Sequence, residues 1–238
     1  MRTSQVASQL LPAFFVGRPN RFIVEAVLED GRRVRAHLAD PGRLRELLLP
    51  GAPLRLRPVP PTAARKTRFT VALVRSPEPP RAWVSIDTGL ANNLAEGLLS
   101  KSAVRGIGSR WELRREVKRG ASRFDFLLTR RNEELWVEVK SVTLVKKGIA
   151  RFPDAPTTRG ARHVRELTEV VRDGGRALIL FIVQRSDARA VTANPSTDPL
   201  FAEELAAARR GGVLLRAASF HFTPSGPPRY RTPLPVRT

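Results

Sequence analysis

The chain has 238 residues, enough for one large or two small domains with buried cores, and 42% are hydrophobic, which excludes a disordered chain. Lys and Arg number 42 against 22 Asp and Glu, a formal net charge of +20. The expected partner is therefore polyanionic, nucleic acid first, with the ribosome or an anionic membrane surface as the rival. The absence of cysteine excludes disulfides and thiolate metal sites, and no apolar run approaches the length of a membrane span.

Taken in order, LLPAFFV near the N-terminus is interrupted by Pro12 and leads to no convincing cleavage site. No signal peptide is expected, and with a cysteine-free composition this points to the cytoplasm. FIVEAVL (22–28) and RVRAHL (33–38) flank Asp30-Gly31, a pair that accepts positive φ and predicts a hairpin. ADPGRLRELLLPG predicts a turn and a short helix closed near Gly51. With LRLRPV, FTVALVRS and AWVSID as three further strands, residues 1–80 are predicted to form a small OB-like barrel. Such a barrel offers a basic groove, and Arg32, Arg33, Arg35, Arg55, Arg57, Arg65, Lys66 and Arg68 are its candidates for phosphate contact. The aromatics Phe22, Phe69 and Trp83 are assigned to the core ahead of a base-stacking role, because apolar strand residues usually face inward. The loop PVPPTAARKTR is expected to be exposed and mobile.

Three prolines in SPEPPRAW mark a boundary, and residues 81–238 form the second predicted domain. DTGLANNLAEGLLSK predicts a helix with Leu90, Leu94, Leu98 and Leu99 on its apolar face. WELRREV, SRFDFLL and LWVEVKS then predict three strands joined by short polar turns. Alternation places Phe124, Phe126 and Leu128 on one face and Asp125 on the other; in the next strand it sets Glu138 and Lys140 together opposite Val137 and Val139. Ionised groups on a half-buried surface lose hydration unless a partner or metal replaces it. Asp125 and Glu138 suit Mg²⁺ or Mn²⁺, with Lys140 placed to orient or deprotonate a water or to stabilise phosphate charge. Glu116, on the preceding strand, is a candidate third carboxylate. The rival reading is an ordinary solvated E-x-K pair.

FPDAPTTRGARHVRELTEVVRDGG predicts a turn and a helix capped by Thr157 or Thr158 and stopped by Gly174-Gly175. Arg159 and Arg162 near its start, with Arg123 beside Asp125, extend the list of candidate phosphate contacts. ALILFIV (177–183) predicts a buried central strand, followed by a helix over 198–210 and a strand over 213–222. The Pro-rich end, TPSGPPRYRTPLPVRT, is expected to be poorly ordered. His37, His163 and His221 lack metal-ligand spacing, and no convincing helix-turn-helix is visible. Helix, three strands, helix, strand is the core order of the PD-(D/E)xK nuclease fold, so the fold class is mixed α/β, an OB-like barrel followed by a nuclease-like domain.

SRFDFLL (122–128), WVEVKSVTL (136–144), FPDAPTTRG (152–160), HVREL (163–167) and VQRSDAR (183–189) together resemble the sugar fermentation stimulation protein A family. The resemblance implies a DNA-binding protein with an OB-like N-terminal domain and a PD-(D/E)xK-like C-terminal domain. It assigns Asp125 to the Asp of that motif, Glu138 to the (D/E) and Lys140 to the Lys. It also implies a helical acidic residue one turn beyond Asn92-Asn93, where this chain has Gly97, with Glu96 one place early. The resulting expectation is a metal-dependent nuclease acting on nucleic acid, DNA favoured over RNA. The alternative is a non-catalytic DNA-binding regulator, and the oligomeric state is left open.

Overall fold

The computed structural model describes residues 10–60 and 66–238. Arg65 and the middle of the loop predicted to be mobile lie outside the described residues. The chain separates into two compact units. The first comprises Met1–Thr88 with Gln184–Asp187 and His221–Arg229; the second comprises Gly89–Val183, Ala188–Phe220 and Tyr230–Thr238. The first unit is therefore not one continuous segment.

The first unit contains β1 (Leu11–Asn20), β2 (Ile23–Leu28), β3 (Arg33–His37), β4 (Pro53–Pro58), β5 (Phe69–Arg75) and β6 (Trp83–Ser85). Antiparallel ladders join β1 to β2, β2 to β3, β4 to β5 and β1 to β4, and a parallel pairing of β3 with β5 closes the ring. The result is a closed five-strand barrel, as predicted, but its strands are β1 to β5. The expected fifth strand, AWVSID, supplies β6, which pairs with β5 outside the ring. β1 escaped prediction because Pro12 and Pro19 interrupt its pattern; they fall near its two ends, and register shifts around Gly17 absorb the rest. Val24, Ala26 and Leu28 alternate inward from β2, and Gly31 takes a φ of 84° in the hairpin turn.

The short helix expected over ADPGRLRELLLPG does not form. Only one turn exists there, with the amides of Leu47 and Leu48 donating to the Leu44 carbonyl. Leu44 sits at a φ of 48°, and the Arg18 guanidinium takes the carbonyls of Asp40, Gly42 and Arg43. A helix would have needed those carbonyls for its own ladder.

In the second unit, α1 (Thr88–Ser100) precedes β7 (Glu112–Arg119), β8 (Ser122–Arg130) and β9 (Glu133–Val142). A hairpin of β10 (Val145–Lys146) and β11 (Ile149–Phe152) leads to α2 (Thr158–Arg172), β12 (Arg176–Val183), β13 (Ala190–Ala193), α3 (Pro199–Arg210), β14 (Leu214–Thr223), β15 (Gly226–Leu234) and β16 (Val236–Arg237), of which the end of β14 and the start of β15 (His221–Arg229) count with the first unit. β14, β12 and β9 run parallel, and β8 and β7 extend the sheet antiparallel. β12 is buried from Ala177 to Val183, as a run of apolar residues between two parallel neighbours must be. α2 turns Ala161, Val164, Leu167 and Val170 into a core with Phe124, Trp136, Ile179 and Phe181.

The C-terminal end is ordered, against expectation. β15 pairs with β14, and β16 runs parallel to β13 in a second sheet of order β10-β11-β13-β16. Among the described strands β15 pairs with β14 alone, so Pro227, Pro228 and Pro233 need forgo few ladder bonds. Tyr230 packs edge-on against Phe220, with ring centroids 5.8 Å apart.

Candidate active site

The β8–β9 ladder pairs Phe126 with Val137 and runs toward the turn at Arg131-Asn132. One step the other way, at Asp125 and Glu138, the regular pairing stops. The Val139 amide donates to Asp125 Oδ2 at 2.8 Å, so a side-chain carboxylate replaces a backbone acceptor. Asp125 Oδ1 accepts from Asn92 Nδ2 of α1, also at 2.8 Å. The carboxylate is thus gripped by two donors and turned toward the neighbouring strand. Burial nonetheless pushes its pKa above the ordinary Asp value, and the charge of Glu138 adds to the rise.

Glu138 is buried, and its Oε1 receives two donors, Lys140 Nζ at 2.8 Å and His163 Nδ1 at 2.6 Å. Burial alone would raise its pKa, but Lys140 and then His163 outweigh that and hold Glu138 below the ordinary Glu value. Arg159 Nε lies 3.4 Å from His163 Nε2, which fits a ring that accepts from Arg159 and donates through Nδ1. Glu138 Oε2 is buried with no hydrogen-bond partner among the described residues. An orphaned carboxylate oxygen beside a second carboxylate is a place for a cation.

Asp125, Glu138 and Lys140 are therefore brought together as expected. Glu116 stands apart. It sits in β7 at a φ of 56°, half exposed, and its Oε2 pairs with Arg123 Nε at 2.7 Å. Among the described residues no three His, Cys, Asp or Glu side chains are grouped to hold a metal, so a three-carboxylate cluster is not formed. Glu96 is occupied by Arg115 at 3.2 Å, and α1 contributes the amide of Asn92 to the site.

His163 and Asn92 are the site residues that sequence reasoning missed. A signal existed for the histidine: Gly160, His163, Val164, Leu167 and Val170 share the buried face of α2, and a histidine on an apolar helix stripe needs a polar partner inside. For Asn92 there was none, since its partner lies 33 residues away.

The candidate phosphate contacts divide sharply. Arg32, Arg35, Arg57, Arg123 and Arg162 are each held in ion pairs, with Asp30, Glu25, Asp87, Glu116 and Glu166. Arg33, Lys66 and Arg68 are exposed, and Arg159 reaches His163. Arg55 and Arg75 lie over the half-buried Trp83 ring at 4.7 and 5.2 Å. Phe69 packs against the barrel core as expected, but Phe22 is 48% exposed beneath Arg21 and does not belong to the core.

A closed OB-like barrel joined to a mixed α/β unit, in which an Asp, a Glu and a Lys converge from adjacent strands, defines the class of protein. A family model described as "SfsA N-terminal OB domain" matches residues 16–86, and one described as "Sugar fermentation stimulation protein RE domain" matches residues 89–226. The chain belongs to the sugar fermentation stimulation protein (SfsA) family. A sugar fermentation stimulation protein homolog of Symbiobacterium thermophilum is 43% identical over 235 residues, covering 93% of this chain and 92% of that one. The homolog of Methanothermobacter thermautotrophicus is 43% identical over 214 residues, 90% of this chain and 87% of its own length. Among solved structures, "The structure of Pyrococcus Furiosus SfsA in complex with Ca2+" matches with a TM-score of 0.87 at 32% identity, covering all of this chain and 98% of that chain.

Proposed function

We propose that this protein binds nucleic acid, DNA in preference to RNA, in the cytoplasm, and that its second unit is a nuclease-like domain that hydrolyses phosphodiesters with the help of Mg²⁺ or Mn²⁺. The observation that carries the catalytic part is the buried Glu138 Oε2, unpartnered among the described residues, in a carboxylate near enough for its charge to act on Asp125. Hard divalent cations are held by one or two carboxylates completed by water and substrate phosphate, so two carboxylates suffice. The Pyrococcus relative was solved with Ca²⁺, another oxygen-seeking cation, which supports the same reading.

Asp125 and Glu138 would hold the metal, and Asn92 and His163 keep their carboxylates aimed. When bound, the metal supplies Lewis-acid polarisation of the phosphate and a water of lowered pKa. Lys140, fixed through Glu138 Oε1, brings a positive charge to the phosphate on which negative charge develops. The nucleic-acid part rests on the net charge of +20 and on the OB barrel, whose kind commonly binds oligonucleotides.

The test is cleavage of end-labelled single- and double-stranded DNA and RNA with Mg²⁺, Mn²⁺ or EDTA. Metal-dependent cutting, fastest on DNA and abolished in Glu138→Gln, is the expected result. Cutting that persists in that variant ends the catalytic assignment. Salt-sensitive binding without cutting leaves a non-catalytic DNA-binding protein built on the same fold.

A further inference from the structure

The loop between α1 and β7 has an unusual construction. Its carbonyls are taken one after another by side chains: Arg105 O by Arg216 Nε at 2.8 Å, Gly106 O by Arg176 at 3.4 Å, Ile107 O by Trp111 Nε1 at 2.7 Å and Ser109 O by Arg130 at 3.1 Å. Ile107 is buried and pins the loop down. Gly106, Gly108 and Arg110 alternate at positive φ, 86°, 75° and 63°. Gly106 takes a φ that side chains rarely adopt, which is the reason for glycine there. Beyond the hydrogen-bonded turn at Arg105-Gly106, the amides of Gly108, Ser109 and Arg110 donate to no backbone carbonyl of the described residues. Left-handed residues at alternate positions, with free amides, build the concave backbone that anions occupy.

The arginines around this loop fall into two sets. Arg130 and Arg176 are structural: both bind Glu133, at 3.0 and 2.9 Å, and both lie over the Trp111 ring. Their hydrogen bonds, that of Arg130 first, and then their charges hold the Glu133 carboxyl below the ordinary Glu range. Arg110 and Arg131 are different. Both are exposed, neither has an ion-pair partner among the described residues, and both sit at positive φ, 63° and 52°. Glycine or asparagine would occupy such positions at lower cost. They come from separate turns and face one open groove of about 770 Å³, lined by Ser109, Arg110, Glu112, Thr129, Arg130, Arg131 and Glu133. No apolar side chain lines it, which disfavours an acyl chain or an amphipathic helix as occupant.

We propose that this groove is a second phosphate-binding site, in which Arg110 and Arg131, assisted by the loop amides and the Ser109 and Thr129 hydroxyls, grip the sugar-phosphate backbone of bound nucleic acid. It begins roughly 13 Å along β8 from Asp125, counting four residues, so it holds the polymer away from the reacting phosphate and contributes to binding rather than to chemistry. The inference rests on the nucleic-acid part of the proposed function and is independent of cleavage.

The experiment compares wild type with the double variant Arg110→Asn, Arg131→Asn. Asparagine tolerates positive φ, so the fold is kept, and an unchanged urea midpoint verifies this. Binding to a labelled DNA duplex is followed against salt concentration. The slope of log K against log salt should become shallower by about 1.8, the release for two phosphate contacts, with several-fold weaker binding throughout. Glu112→Gln, which removes a carboxylate from the groove, should tighten binding. Slopes and affinities equal to wild type in the double variant overturn the site. Loss of binding to anionic phospholipid vesicles, with duplex binding intact, overturns the choice of partner. Wild type that binds no nucleic acid overturns the underlying reading instead.

Discussion

Glu138 has a structural role in its buried pair besides the chemical role proposed for it, and the two can be separated. Lys140 and Glu138 are each less than a tenth exposed, and removing one member of a buried pair leaves the other uncompensated. Glu138→Ala should therefore cost about 3–5 kcal/mol in urea unfolding. Glu138→Gln combined with Lys140→Met should recover most of that loss, because a neutral replacement of both partners removes the stranded charge, yet it should restore no cleavage. Asp125 obeys the opposite logic. Its pKa is raised by burial, so the stability contributed by its neutral carboxyl is present below the ordinary Asp value and lost as pH rises through the raised one. Mn²⁺, which needs the ionised form, should bind more tightly as pH rises through that range. Asn92→Ala removes a bond that lowers this pKa, so calorimetric Mn²⁺ binding should shift to higher pH. An unshifted profile would mean that Asp125 is not a ligand.

At the scale of elements, α2 is the piece that aims His163, and its first turn is fixed by contacts remote from the chemistry. Thr157 Oγ1 accepts from the Gly160 amide at 3.0 Å, and the Thr157 amide donates to Asp198 Oδ2 at 2.7 Å. Asp198 Oδ1 meanwhile caps α3 through the Phe201 amide at 2.9 Å, so one carboxylate serves two helix starts. A Cβ on Gly160 would meet Thr157 side-chain atoms at 2.7 and 2.8 Å. Gly160→Ala should thus force the cap apart and cost about 1–3 kcal/mol despite the better helix propensity of alanine. Asp198→Ala should cost about 2 kcal/mol through the loss of both caps. Urea midpoints measure both, and a stabilised Gly160→Ala would show that the turn can relax.

For the molecule as a whole, charge and chain path set the expectations. With a net charge of +20, affinity for a DNA duplex should fall linearly on a log–log plot against salt, and a flat plot would remove the electrostatic basis of binding. The chain path matters because the first unit is completed by distant residues. Arg185 makes a two-pronged buried pair with Asp187, both bonds 2.6 Å, and reaches Ser76 Oγ at 2.9 Å, while the Gln184 carbonyl accepts from Ser85 and Phe222 pairs with Trp83. A fragment ending at Thr88 lacks all of these. It should unfold at clearly lower urea than the same unit in the full chain, as read from far-UV circular dichroism.

What the sequence determined by itself was whatever depends on neighbours in the chain. Period-two alternation set Asp125 against Phe124 and Phe126 and put Glu138 with Lys140; Asp30-Gly31 marked its hairpin; Thr157 and Gly174 marked the ends of α2. No barrier separates such features from local sterics and hydrogen bonding, so they can be read within a few residues. Tertiary structure alone decided what depends on pairing across long separations. Leu44 to Leu48 failed to extend as a helix because Arg18 took the carbonyls, and the proline-bearing β1 and β15 became strands because partner ladders existed for them. Glu116 was drawn to Arg123, and Asn92 and His163 were delivered to the two carboxylates from helices. These outcomes follow from where desolvated donors and acceptors meet, and only the folded chain brings them together.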